Sequence, residues 1–163
     1  MLGSFRFFLR KYIYQIIIYL FLILSLNSFE ISNMDIIIYS IFHILFVLYS
    51  FYDEFKLNYF TTFLLGFFLD IFLIDEFGPH LLTFMFFLFI IKKIKFLFIN
   101  RNFLFLISMN IFCVIILLFT EKLFLFIVYG YNFSILILAK TILFSVILSY
   151  PIYILLNYIK RKI

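Results

Sequence analysis

Apolar runs dominate this chain, and nowhere between them does a water-compatible stretch exceed about a dozen residues. A bilayer crossing needs about 20 mostly apolar residues. Six runs come close to that length, at about 12–29, 35–52, 57–74, 79–98, 103–128 and 134–158. Between them lie Glu30 to Asp35, Asp53 to Lys56, Asp75 and Glu76, Asn100 to Asn102, and Gly130 to Asn132. Of the 163 residues, 67% are hydrophobic, and the mean hydropathy is +1.25. A soluble domain of this size has too little interior to hide that much apolar surface. The solvent is therefore lipid. The expected fold is an all-α integral membrane protein, one domain over 1–163, a bundle of about six transmembrane helices.

Phe occurs 29 times and Tyr 12 times, while Ala139 is the one alanine. This is the codon bias of an AT-rich genome, in which Phe and Ile replace Leu, Val and Ala. A Phe stripe here is lipid-facing bulk rather than an aromatic ligand cage. The net charge of +5 does not point to nucleic acid, because the basic residues sit in short clusters between apolar runs. That is how topology signals are placed. The lone Cys113 excludes an internal disulfide framework and any multi-cysteine metal site. With His43 and His80 the only histidines, and no H-E-x-x-H, P-loop or G-x-S-x-G, nothing calls for a cofactor or a catalytic set.

Arg6, Arg10 and Lys11 before the first run give it the look of a secretory signal. The following SLNSFEIS lacks a small-residue cleavage pattern, so a retained first span is expected. With the N-terminus inside, the inside segments hold Arg6, Arg10, Lys11, Lys56, Lys92, Lys93, Lys95, Arg101, Lys160, Arg161 and Lys162, eleven of the thirteen basic residues. The outer segments carry Glu30, Asp35, Asp75, Glu76 and Glu121. This bias requires an even number of spans and places both termini in the cytoplasm. Two span ends stay open. Lys92, Lys93 and Lys95 either snorkel from a continuing helix or leave Ile94 to Ile99 flat at the surface. Glu121 and Lys122 interrupt the fifth run, so Leu123 to Tyr129 either rises above the membrane or folds back on it.

The chemistry concentrates in Leu64-Leu65-Gly66-Phe67-Phe68-Leu69-Asp70 and Gly78-Pro79-His80. A carboxylate inside hydrocarbon is costly and faces protein or water. Flanking glycines let another backbone come close. Asp70 falls in the outer third of the third span. Three roles are open to it, in decreasing order: fixing helix packing, reaching the interface, and carrying a proton or ion. Transport ranks last because no second titratable group lies clearly along a path from the cytoplasmic side. Lys140, in the sixth span, lies at a similar depth, so it either pairs with Asp70 or snorkels outward alone, with Glu121 as a competing partner. His43 is expected to be a hydrogen-bonding packing residue, and His80 an unremarkable polar residue at an outer helix start. Ser145 and Ser149, four apart, bond to backbone or admit a neighbour, and Pro151 kinks or loosens the last helix.

The G-x3-D-x7-G pattern of Gly66, Asp70 and Gly78, with His80 two residues on, resembles the signature of the MreD family, inner-membrane proteins of the bacterial rod-shape system. Length and six-span layout extend the resemblance over nearly the whole chain. Pro151 followed by the basic Lys160-Arg161-Lys162 is a second, weaker match. The turn departs from the family: Ile71 to Phe77 includes Asp75 and Glu76, and the Pro follows Gly78 instead of preceding it. The resemblance implies a non-enzymatic scaffold in the inner membrane. It would bind MreC and, through it, act with MreB and the elongation synthase and transpeptidase in lateral peptidoglycan synthesis. Substrate-binding subunits of energy-coupling-factor vitamin transporters also have six helices and similar size. They usually carry small residues four apart on the first helix, which YIYQIIIYLFLILSLNSF lacks until Ser25, so this alternative ranks lower. An intramembrane hydrolase would need a catalytic constellation that the sequence does not offer.

Overall fold

A computed structural model describes residues 2–26, 33–51, 57–73, 78–94, 103–132 and 134–162; the side chains of 2–12, 14, 103 and 160–162 lie outside the description. All regular structure among these residues is helical: α1 Leu2–Ser25, α2 Met34–Phe51, α3 Tyr59–Leu73, α4 Pro79–Ile94, α5 Phe103–Tyr129 and α6 Ile135–Lys162. Each expected span overlaps one helix. Three stretches, Met34–Phe51, Leu104–Tyr129 and Ile135–Ile159, are long and apolar enough to cross a membrane.

Two boundaries differ from expectation. Helix α1 starts well before residue 12, so Arg6, Arg10 and Lys11 lie within it. Glu121 and Lys122 do not break α5, which runs unbroken to Tyr129 and stops at Gly130, whose N–H closes on the Phe126 carbonyl at 3.0 Å. The segment 95–102, which bears on how the fourth span ends, lies outside the described residues, as do Glu30, Asp75 and Glu76.

Helix α2 is the centre. It packs against α1, α4, α5 and α6, and every residue from Phe42 to Ser50 is buried. A helix apolar all round has no face for water and belongs inside other helices. By contrast, α6 buries one narrow stripe, Thr141, Ser145, Ser149 and Tyr153 at four-residue spacing and then Leu156. Small residues in that stripe let the α2 and α6 backbones approach. The hydroxyl of Ser40 on α2 accordingly reaches the Thr141 carbonyl at 3.1 Å. Ser145 and Ser149 donate to the carbonyls four residues back, at 2.8 and 2.6 Å. Helix α6 continues through Pro151, which is exposed. The outward faces of α5 and α6 carry Phe112, Phe119, Phe126, Ile135, Ile147 and Leu155, all more than half exposed. Such surface suits lipid.

Helices α3 and α4 pack extensively, and their backbones come closest at Gly66. A Cβ built on Gly66 would stand 2.5 Å from the Leu81 Cα and 2.8 Å from its nitrogen. These are backbone atoms of α4, which no rotamer change can move aside. Gly66→Ala must therefore push α3 and α4 apart. Overpacking of this kind costs about 1–3 kcal/mol, more than alanine's gain of about 1 kcal/mol in helix propensity. The purified variant is expected to melt below wild type in detergent; an unchanged or raised melting temperature would contradict the contact.

Candidate functional site

Helix α4 begins without a capping side chain of its own. Its first intrahelical bond runs from Leu82 N–H to the Gly78 carbonyl at 2.8 Å, which makes Gly78 the capping position. Gly78 has φ of +132°, in the region that disfavours residues with a Cβ. A glycine there offers no oxygen to the free N–H groups of the first turn. Asp70 supplies it from α3. One carboxylate oxygen, Oδ2, accepts from the N–H of Gly78 at 2.9 Å and of Leu81 at 3.0 Å. The other, Oδ1, accepts from the N–H of His80 at 2.9 Å and from its ring Nδ1 at 2.8 Å. Pro79, the first helical residue, has no N–H to satisfy. The carboxylate thus stands in for an N-cap side chain, and its charge opposes the positive end of the helix dipole. Both oxygens carry two donors, which is the acceptor capacity of the group.

His80 passes the connection on. It is 1% exposed, and its Nε2 lies 3.3 Å from Glu121 Oε1 and 3.4 Å from the Tyr39 hydroxyl. Glu121, on α5, is fully buried. Its Oε1 also accepts from the Tyr39 hydroxyl and lies 3.2 Å from Lys122 Nζ. Its Oε2 faces His43 Nε2 at 2.8 Å, and His43 Nδ1 faces the Tyr39 carbonyl at 2.8 Å. The side chain of Phe84, completely buried, meets both histidine rings edge-on and stacks on Phe46 at 4.5 Å. The result is one polar joint that ties α2, α3, α4 and α5 at the end of the bundle where α4 and α6 begin.

Carbonyl and ionised carboxylate oxygens only accept. Both ring nitrogens of His43 and Nδ1 of His80 face such an oxygen at 2.8 Å, and His80 Nε2 lies 3.3 Å from Glu121 Oε1. Charge-assisted bonds of this sort are roughly twice as strong as neutral ones.

Gly66, Asp70, Gly78 and His80 come together as the sequence pattern suggests. Lys140 does not join them. It is exposed on α6, and its ammonium donates to Asn33 Oδ1 at 3.2 Å. Of the two readings of Lys140, pairing with Asp70 is therefore corrected: α4 and His80 already take every acceptor position on Asp70. Pro151 lies on α6, outside the joint. Two further expectations change. His80 is not an unremarkable residue at a helix start but a bridge between two carboxylates. Glu121 is interior, not part of an outer segment. His43 packs through hydrogen bonds as expected, with Glu121 as the partner that sequence reasoning missed. Among the described residues no group of three or more His, Cys, Asp or Glu is placed to hold a metal ion.

The chain matches no protein-family profile, no curated protein and no solved structure.

The two pairings make opposite predictions. In a double-mutant cycle on thermal stability, Asp70→Asn and His80→Phe should couple, in the range of about 0.5–3 kcal/mol for groups in contact. Asp70→Asn and Lys140→Met should add independently. Coupling of Asp70 to Lys140, with additivity toward His80, would contradict the site.

Proposed function

We propose that this chain is a non-enzymatic membrane scaffold of the MreD type, which binds MreC and supports lateral peptidoglycan synthesis and rod shape. In this reading all six helices cross the bacterial inner membrane, both termini are cytoplasmic, and the polar joint lies toward the periplasm. The basic residues favour that orientation, since all but Lys122 and Lys140 belong to segments assigned to the inside.

One observation carries the reading. The residues behind the family resemblance, Gly66, Asp70, Gly78 and His80, form a single mechanical element: close helix contact, surrogate cap, glycine turn and bridge. Every position in the pattern has a packing reason. A carboxylate whose four acceptor positions are filled by its own protein is built to hold, not to release a proton or carry an ion. The substrate-binding-subunit alternative gains no comparable support from Asp70.

Depletion in a rod-shaped host should make the cells round, and the tagged protein should co-purify with MreC. Asp70→Leu should weaken that co-purification at equal membrane abundance. Unchanged shape together with lost vitamin uptake would replace this reading with the transporter one.

A further inference from the structure

At the opposite end of the bundle from the joint, where α2 ends and α3 begins, α1, α2 and α3 border a small cavity of about 10 Å³. Its lining is mixed. Ile18 and Leu65 are apolar, whereas Gln15, Tyr19, Tyr49 and Thr61 carry an amide and three hydroxyls. Three helices contribute these polar side chains: Gln15 and Tyr19 from α1, Tyr49 from α2 and Thr61 from α3. Tyr49 is 1% exposed, so bulk water does not reach it. The Thr61 hydroxyl accepts from the Asn58 N–H at 3.0 Å and donates to Asn58 Oδ1 at 2.8 Å. One acceptor position on that hydroxyl is left over.

Size and chemistry together name an occupant. A space of this kind, about 10–15 Å³ for the centre of a guest, admits one water and nothing larger. Dry internal cavities are lined by apolar groups, whereas a water inside a protein makes about three hydrogen bonds to polar ones. An ion would need a counter-charge, and no residue lining this cavity carries one. Gln15 offers donors and acceptors, Tyr49 one O–H donor, and Thr61 the remaining acceptor. The position also matters to the fold. Helix α1 packs mainly on α2 and only lightly on α3.

We propose that this cavity holds one ordered water, which accepts from the Tyr49 hydroxyl and donates to the Gln15 amide oxygen and the Thr61 hydroxyl oxygen. The water thereby ties α1 to α3, which have little direct contact. The proposal is independent of the scaffold reading.

Two measurements on the whole chain test it. In solid-state NMR of the protein in lipid bilayers, magnetisation should pass from water to the Tyr49 side chain in wild type and fail to do so in Gln15→Leu. In thermal unfolding, Tyr49→Phe and Gln15→Leu should each lower the melting temperature by about 2 °C or more. The double variant should lose less than the sum, because either substitution alone already loosens the shared water. A Tyr49→Phe protein that melts at or above wild type would overturn the site, since it would show a hydroxyl with no bridge to lose. Strict additivity, or a Tyr49 side chain that receives nothing from water, would overturn it as well. If Gln15→Leu does not fold, the wild-type transfer and Tyr49→Phe decide.

Discussion

Glu121 is a carboxylate with no water to lean on. It lies inside α5, fully buried, in a chain whose other helices offer mostly Phe, Ile and Leu. A group of this kind persists only if its lone pairs are met by donors from the protein. Meeting them requires His43 and Tyr39 from α2 and His80 from α4 to converge on one point. His80 can converge only if α4 starts where it does, and that start is set by Asp70 on α3. Four helices are thereby registered against one another by a single chain of hydrogen bonds. Apolar packing between lipid-like side chains has little such selectivity, because hydrocarbon solvates Leu and Phe as well as a neighbouring helix does.

The joint also explains where the backbone is unusual. Gly66 is small because Leu81 passes over it, and Gly78 has positive φ where the turn presents the N–H groups of Gly78, His80 and Leu81 to Asp70. Away from this end the bundle relies on shape. Small residues on α6 seat it against α2, and the aromatic stack of Phe46 and Phe84 fills the space beneath the two histidines. The polar joint specifies register, and the apolar remainder supplies contact area.

Much of this was legible in the sequence, and the part that was not has a definite physical cause. Six helices follow from six apolar runs, since hydropathy measures length along the chain directly. Gly66, Asp70, Gly78 and His80 stood out because a charge and glycines are rare in such surroundings. Depth, however, is one coordinate of three. Spacing gives Lys140 and Asp70 a similar depth, and one-dimensional spacing cannot report azimuth. The true acceptor demand on Asp70 was local, from residues 8 to 11 positions later. Glu121 was misplaced because Glu-Lys in an apolar run resembles the start of a loop. A usable signal existed: His43, His80 and Glu121 each sit in a largely apolar run. Polar groups so placed need partners, and few others were on offer.

The most direct measurement of the joint is the stability of Glu121→Leu in detergent or bilayers. By side-chain transfer alone, leucine should improve a helix in hydrocarbon. If Glu121 organises the bundle, the substitution instead strands His43, His80 and the Tyr39 hydroxyl without their acceptor. Breaking a buried pair from one side can cost about 3–5 kcal/mol. The account predicts a melting temperature clearly below wild type. A Glu121→Leu protein that melts at or above wild type would contradict it.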